Sequence, residues 1–334
     1  MTLIETILWP LTLPYGAVTY LRTSAYHKGI LRQRRLDGTV ISVGNLTAGG
    51  TGKTPMVLWI AQRLLAEGKS TGILTRGYRG EGDGAASTSD EVQLLRARLG
   101  ERVALGVGAD RFASGIELAK RGVECFILDD GFQHLQLARD VDIVLIDATN
   151  PFGGGHLLPA GRLREPLSSL SRADVIVITR SDHAPAVEAV IRRNSNAPIF
   201  YARAHLESVR AFRREYPGME YAEARSRKWF AFSGIGNPAA FRTDLMAWGF
   251  DIAGYKDFPD HHRYTAQDVK TIEAEAGAAG ANAIICTEKD SFNLFGVPLP
   301  VMDLYRGGVS LRIAREQEFW QSVMAVADSR IQSR

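Results

Sequence analysis

The chain has 334 residues, with 40 Lys and Arg against 37 Asp and Glu for a net charge of +3, and is 45% hydrophobic and 23% charged. That length suffices for one large or two ordinary domains with proper cores, and the composition is that of a soluble globular chain, which excludes global disorder. The small net charge argues for no nucleic-acid partner, and Cys125 and Cys286, isolated in apolar runs without a CxxC pairing, exclude a disulfide framework and a cysteine zinc site.

The first predicted element is the apolar stretch from Leu3 to Leu21, which carries Trp9, Tyr15 and Tyr20 and is followed by Arg22, Lys28, Arg32, Arg34 and Arg35. It is about as long as a membrane span, but Glu5, Pro10 and Pro14 interrupt it. Aromatics at headgroup level and basic residues on anionic lipid fit an interfacial anchor, and a helix pair packed on the protein's own core is the alternative.

From residue 40 strand-like and helix-like segments alternate. Strands are expected at 40–43, 71–75, 125–128, 143–146, 175–179 and 199–202, and helices at 55–67, 91–99, 111–120 and 185–194. Short, fully apolar strands between helices predict an α/β fold, a parallel sheet with helices on both faces and its ligand at the carboxyl ends of the strands. The polar passage 205–228 reads as a linker or hairpin. A smaller α/β pattern then follows, with strands at 229–233, 252–255, 283–287 and 301–305 and helices at 238–248 and 266–276. The expected organisation is therefore a membrane-associated helical segment at 1–35, a phosphate-loop domain at 36–204, the linker, and a second domain at 229–334.

Within the first domain VGNLTAGGTGKTP, Val43 to Pro55, has the order strand, glycine-rich loop, helix. Such a loop, Gly49, Gly50, Thr51, Gly52, Lys53 and Thr54, closes backbone N–H groups around phosphate at a helix N-terminus; Lys53 reaches the outer phosphates and the Thr54 hydroxyl is placed to ligate Mg²⁺. It is not a strict GxxxxGK(S/T), since Thr47 stands at the first position. It is closer to the KGGxGK(S/T) loop of a class of dimeric ATPases, with Ala48 where that variant has its first lysine.

A phosphate-loop enzyme needs a carboxylate on a neighbouring strand to hold its metal. DDGFQH, Asp129 to His134, supplies Asp129 and Asp130 directly after the apolar run 125–128, and Asp147 after 143–146 competes for the role. Arg162 and Arg164, in a Gly/Pro-framed loop, suit phosphoryl charge, although two loop arginines are commonly solvated. Asp90 and Glu91 follow Ser87-Thr88-Ser89, where a helix start alone favours carboxylates.

Val43–Pro55, DDGFQH and the LPAGRLREP of Leu158–Pro166, followed by the DHHRY of Asp260–Tyr264 and the TEKD of Thr287–Asp290, together resemble the tetraacyldisaccharide 4′-kinases, membrane-associated kinases of lipid A biosynthesis. The resemblance implies a phosphate-loop NTPase-like fold, ATP and Mg²⁺, and transfer of the γ-phosphate to the 4′-hydroxyl of a tetraacylated glucosamine disaccharide 1-phosphate at the cytoplasmic face of a bacterial inner membrane. It also implies roles: Asp90 with His261, in preference to His262, on the hydroxyl; Lys53 and Arg162 on the transferring phosphate; Thr54, Asp129, Asp130 and Glu91 towards the metal; Arg76, Tyr78, Arg164 and His262 towards the substrate. The family's GDEP is departed from, with Ser89 and Val92 beside Asp90-Glu91. A membrane-bound nucleotide-switch ATPase acting on a protein partner is the rival reading, and a lipid-binding scaffold without turnover is a third.

Overall fold

A computed structural model describes residues 3–77, 89–212 and 218–333. In chain order the elements are α1 (Leu3–His27), β1 (Thr39–Asn45), α2 (Lys53–Ala66), β2 (Thr71–Thr75), α3 (Asp90–Leu99), β3 (Ala104–Val107), α4 (Arg111–Ala119), β4 (Cys125–Asp129) and β5 (Val141–Asp147). There follow β6 (Val175–Thr179), α5 (Pro185–Arg192), β7 (Ile199–Ala211), α6 (Tyr221–Ser226), β8 (Lys228–Ser233), α7 (Pro238–Ala247) and β9 (Asp251–Asp257). The last are α8 (Ala266–Ala278), β10 (Ala283–Thr287), α9 (Glu288–Asn293), β11 (Leu304–Ile313) and α10 (Glu316–Gln332). Two compact units form: Met1–Tyr78 with Leu99–Arg203 and Leu311–Arg334, and Arg79–Arg98 with Ala204–Ser310. The expected second domain of 229–334 is thus divided, its last residues belonging to the first unit.

In the first unit the strand order is β3-β2-β4-β1-β5-β6-β7 and every pairing is parallel. β2, β4, β5 and β6 are buried along their whole length, as parallel strands covered on both faces must be, and this is why they are legible as continuous apolar runs. α2 packs on β1, β2 and β4, and α4 on β2 and β3. The unpredicted α10 returns to this unit: Phe319 lies edge-on to Trp59 and Phe200 at 5.4 Å, and the Trp320 indole N–H donates to Glu67. β3 is likewise unpredicted. It is an edge strand with one fully buried residue, so it offers no apolar run to read.

The second unit orders β11-β10-β8-β9 in parallel, with the end of β7 beside β11. Alternation along β8 sends Trp229 and Ala231 to a core with Phe241 and Leu245 of α7, and Phe230 and Phe232 to a core with Val269 and Ile272 of α8. Helices therefore cover both faces here too. The passage expected as linker begins as strand, since β7 runs on to Ala211; between residues 205 and 211 only Leu206 and Val209 are buried, among polar neighbours, so this part reads as a loop. β11 lies three residues later than expected and extends to Ile313.

α1 is a single 25-residue helix that continues through Pro10 and Pro14. Each proline removes one N–H from the ladder without ending it. Its apolar residues do not all turn inward: Leu11, Leu13, Val18, Tyr20 and Leu21 are each more than half exposed. Among the described residues no helix is long and apolar enough to cross a membrane.

Candidate active site

The phosphate loop begins where β1 ends at Asn45 and closes at Gly52, whose φ of 92° is the left-handed conformation that glycine adopts without strain. Asn45 organises it, its Nδ2 donating to the Thr47 carbonyl at 2.8 Å and its Oδ1 accepting from Lys53 Nζ at 3.2 Å. The Thr179 hydroxyl at the end of β6 donates to the Thr51 carbonyl at 3.0 Å. The buried Thr51 hydroxyl has no hydrogen-bond partner among the described residues, an unmet polar atom in a loop of the phosphate-cradling kind.

DDGFQH is seated against this loop by two close approaches that tolerate only glycine. A Cβ on Gly44 would lie 2.6 Å from the Phe132 Cβ, and one on Gly131 2.5 Å from the Ser42 hydroxyl. Phe132 is fully buried, and Gln133 Nε2 donates to the Asn45 carbonyl at 3.0 Å. Asp129, buried at the end of β4, accepts from the Thr75 hydroxyl at 3.3 Å. Asp130 has a φ of 50°, unusual for a residue with a Cβ. Its carboxylate sits 3.5 Å from Lys53 Nζ and takes Arg164 Nη1 at 2.9 and 2.8 Å. Burial opposes its charge, but Lys53 and Arg164 outweigh burial and hold the carboxyl below its ordinary value. The rival Asp147 is engaged locally, accepting from the Thr149 hydroxyl at 2.6 Å and from Arg180 Nε at 3.1 Å.

The LPAGRLREP loop pairs with the phosphate loop. Ala48 N–H donates to the Arg162 carbonyl and Arg164 N–H to the Leu46 carbonyl, both at 2.7 Å. Arg162 Nε adds a bond to the Ala48 carbonyl at 2.9 Å, so this side chain reaches the position where the KGGxGK(S/T) loop carries its first lysine. Glu165 is buried and paired with Arg172 at 2.6 Å, which also lies 4.4 Å above the Phe132 ring. α1 joins the same loops through Tyr15, which donates to the Arg164 carbonyl at 3.0 Å, and Arg22, which donates to the Gln133 carbonyl at 3.1 Å.

Arg111, which sequence reading missed, lies near the aspartates and the candidate Arg76. Arg111 at the start of α4 is buried, and burial first, then Arg76, lowers its basicity against the pull of Asp130 and Asp129. His134 is driven down to about 4 by burial and by Arg111, Arg139 and Arg22, so its imidazole is neutral at physiological pH. Arg76 is exposed, and the candidate Tyr78 lies outside the described residues.

The second unit holds a separate constellation. Asp90, buried at the first residue of α3, has both carboxylate oxygens 3.0 Å from His261 Nδ1. It also accepts the Glu91 N–H at 2.9 Å and Asn293 Nδ2 at 3.5 Å. Burial opposes ionisation of Asp90, yet the His261 hydrogen bond, the Lys289 ammonium and the Glu91 N–H together keep its carboxyl below the ordinary value. The same hydrogen bond raises the His261 imidazole against burial. His261 has a φ of 60° and donates its N–H to the Gly234 carbonyl at 3.0 Å. Its neighbour is differently engaged: His262 stacks on Phe258 at 4.7 Å and bonds Asp268 at 3.1 Å. Glu91 is bound to Lys289 at 3.0 Å.

The residues present fit Mg²⁺ in the first unit by donor chemistry. Asp129, Asp130 and the Thr54 hydroxyl are hard oxygen donors, the kind this ion takes while keeping waters and phosphate oxygens. Among the described residues no group of three or more His, Cys, Asp or Glu could hold a metal by itself.

Residues 4–328 match the family described as tetraacyldisaccharide-1-P 4′-kinase. The curated tetraacyldisaccharide 4′-kinase of Geobacter metallireducens is 40% identical over 312 residues, 87% of this chain and 89% of that one. The one from Anaeromyxobacter dehalogenans is 40% identical over 305 residues, covering 84% and 79%. A crystal structure of LpxK from Aquifex aeolicus in complex with ATP superposes with a TM-score of 0.73 at 28% identity, covering 97% of this chain and 99% of that one.

Proposed function

The chain belongs to the tetraacyldisaccharide-1-phosphate 4′-kinase family, and from that premise we propose that it transfers the γ-phosphate of ATP to the 4′-hydroxyl of a tetraacylated glucosamine disaccharide 1-phosphate, giving the 1,4′-bisphosphate. The observation that carries the reading is the Lys53–Asp130–Arg164 cluster on a glycine-bounded phosphate loop. Two cations sharing one carboxylate at such a loop are groups that a nucleotide's phosphates can recruit.

The loop Gly49–Thr54 and Lys53 bind the phosphates, and Arg162, braced on Ala48, offers its guanidinium to the transferring group. Mg²⁺, when bound on Thr54 with Asp129 or Asp130, supplies neutralisation of charge on the phosphate oxygens. The sugar hydroxyl oxygen forms the new bond to phosphorus, the bond to the bridging oxygen breaks, and ADP leaves with that electron pair. The hydroxyl proton goes to His261. With Nδ1 bonded to Asp90 and Nε2 3.8 Å from Asp260 Oδ2, the proton is assigned to Nε2, and the partly exposed ring suits the task better than the buried carboxylate. Arg76, Tyr78 and Arg164 are retained as substrate-side candidates; His262 is assigned to holding the loop.

Membrane attachment through residues 1–35 is part of the same reading, at the cytoplasmic face of a bacterial inner membrane. Its support is the exposed apolar side chains of α1 together with exposed Lys28 and Arg32. A four-chain lipid leaves a bilayer reluctantly, so an interfacial enzyme meets it there. Arg34 and Arg35, by contrast, are paired with Asp110 and Asp140.

The deciding experiment is phosphate transfer from γ-labelled ATP, with Mg²⁺, to detergent-dispersed tetraacyldisaccharide 1-phosphate, with the lipid weighed by mass spectrometry. The expected product is the lipid plus one phosphate. Phosphate released to water with no labelled lipid would move the chain to the switch-ATPase reading. Deleting residues 1–21 should abolish co-sedimentation with anionic vesicles; retained binding would place the lipid-contacting surface elsewhere.

A further inference from the structure

The TEKD segment, singled out by its sequence, takes no part in the chemistry above. Within the second unit, however, Lys289, Asp290 and Asn293 of this turn and of α9 each hold a group that bears on Asp90 or His261. Glu288 accepts from Arg98 Nε of α3 at 2.8 Å. Lys289 reaches Glu91, the neighbour of Asp90, at 3.0 Å. Asp290, with no exposed surface, accepts the Gly234 N–H and the Tyr264 hydroxyl, both at 2.8 Å, and the Thr287 hydroxyl as well. Gly234 in turn receives the His261 N–H on its carbonyl, and a Cβ there would lie 2.9 Å from the Pro259 carbonyl oxygen. Asn293 points its amide at Asp90 itself.

We propose that Thr287–Asn293 is the positioning clamp of the Asp90–His261 pair, with Lys289 setting the carboxylate through the start of α3 and Asp290 setting the imidazole through the Gly234 turn. The inference rests on the reading of that pair as the proton acceptor. Its physical content is geometric. A helix start and a loop must present an aspartate and a histidine at hydrogen-bond distance, and one short helix bonds Asp90 through Asn293 and reaches the His261 loop through Gly234, so the pair is preorganised by a common support. Lys289 also lends its charge to two adjacent carboxylates. Burial opposes its charge, but Glu91 and Asp90 outweigh burial and keep it firmly an ammonium. Without it, Glu91 loses its cation beside the Asp90 carboxylate, and the first turn of α3 must shift or take up a proton.

The test is steady-state transfer to detergent-dispersed tetraacyldisaccharide 1-phosphate by the full chain, with Lys289→Met, Lys289→Arg, Asp90→Asn and the double variant Asp90→Asn/Lys289→Met. Lys289→Met should lower kcat by about 10- to 100-fold, the size usual for groups that orient a reacting residue, with the KM for ATP within about twofold of the parent. Lys289→Arg should recover most of the loss. The double variant should be no slower than Asp90→Asn alone, because a clamp has nothing to position once its carboxylate is gone. If Lys289→Met folds poorly, Glu91→Gln/Lys289→Met removes both charges together and should show the same kcat loss. Normal turnover in that pair, or in Lys289→Met, overturns the clamp, as do losses that multiply in the double variant. A fully active Asp90→Asn overturns the reading of the pair itself, and the clamp falls with it.

Discussion

Each unit has an aspartate bound to a basic side chain and a Cβ-bearing residue in the left-handed region, Asp130 at φ 50° in the first and His261 at φ 60° in the second. The two constellations are nonetheless built for different tasks. The Asp130 side chain is 39% exposed and its partners are Lys53 and Arg164, both of which phosphate oxygens can recruit, so the contact is one that ligand binding can exchange. The Asp90 side chain is 4% exposed and its partners are a histidine, an asparagine and a backbone N–H, with Lys289 close by. That arrangement is fixed by surrounding structure. Comparable ion pairs thus separate into a charge reservoir at a phosphate loop and a preset proton-accepting pair, and the kind of partner each carboxylate has is what distinguishes them.

The comparison breaks most sharply if it is wrong about the second unit. Asp90→Asn is expected to reduce kcat by up to about 10⁴-fold, the upper range for general acid–base catalysis, while ATP affinity measured by calorimetry stays at the parent value. Lys53→Ala should cost about 10²- to 10³-fold in kcat, as for loss of one charge-stabilising donor, and should weaken ATP binding as well. Equal effects of both variants on ATP affinity would erase the division of labour. Gly131→Ala tests the packing that seats DDGFQH: overpacking against Ser42 and Leu128 should destabilise the fold by about 1–3 kcal/mol, read as a lowered thermal midpoint.

The smallest expected effect is in pH. Folded Asp90 titrates below its unfolded value, so its contribution is present above about pH 4 and is lost as pH falls further. Folded His261 titrates above its unfolded value, so its contribution is full below about pH 6.5 and fades as pH rises through the folded pKa. The difference in thermal midpoint between the parent and His261→Gln should therefore be larger at about pH 6 than at about pH 8.5. An equal difference at both values would mean that the pair is not electrostatically coupled in the folded protein.

Much of this was legible in the amino-acid order because the informative features are local. A strand buried on both faces must be apolar throughout, which marks β2, β4, β5 and β6. A phosphate loop must place its glycines, lysine and threonine within a few residues of one backbone turn, and Gly49 to Thr54 do so. The five motifs identified the family for the same reason. Features satisfied by residues distant in sequence were not legible. β3 and the far half of β7 draw their stability from neighbouring strands and lack a pattern of their own. Arg164 carries no mark that its partner would be Asp130, 34 residues away, nor Lys289 that it would reach Glu91 across 198. The choice between His261 and His262, identical neighbours in one loop, was made by packing: one ring stacks on Phe258 and the other, turned by a left-handed residue, meets Asp90. Local sequence thus determined which chemistry the chain carries, because loops and strands are specified by near neighbours. Tertiary structure decided which side chains are paired and which are exposed, because a contact between distant segments exists only once both are folded.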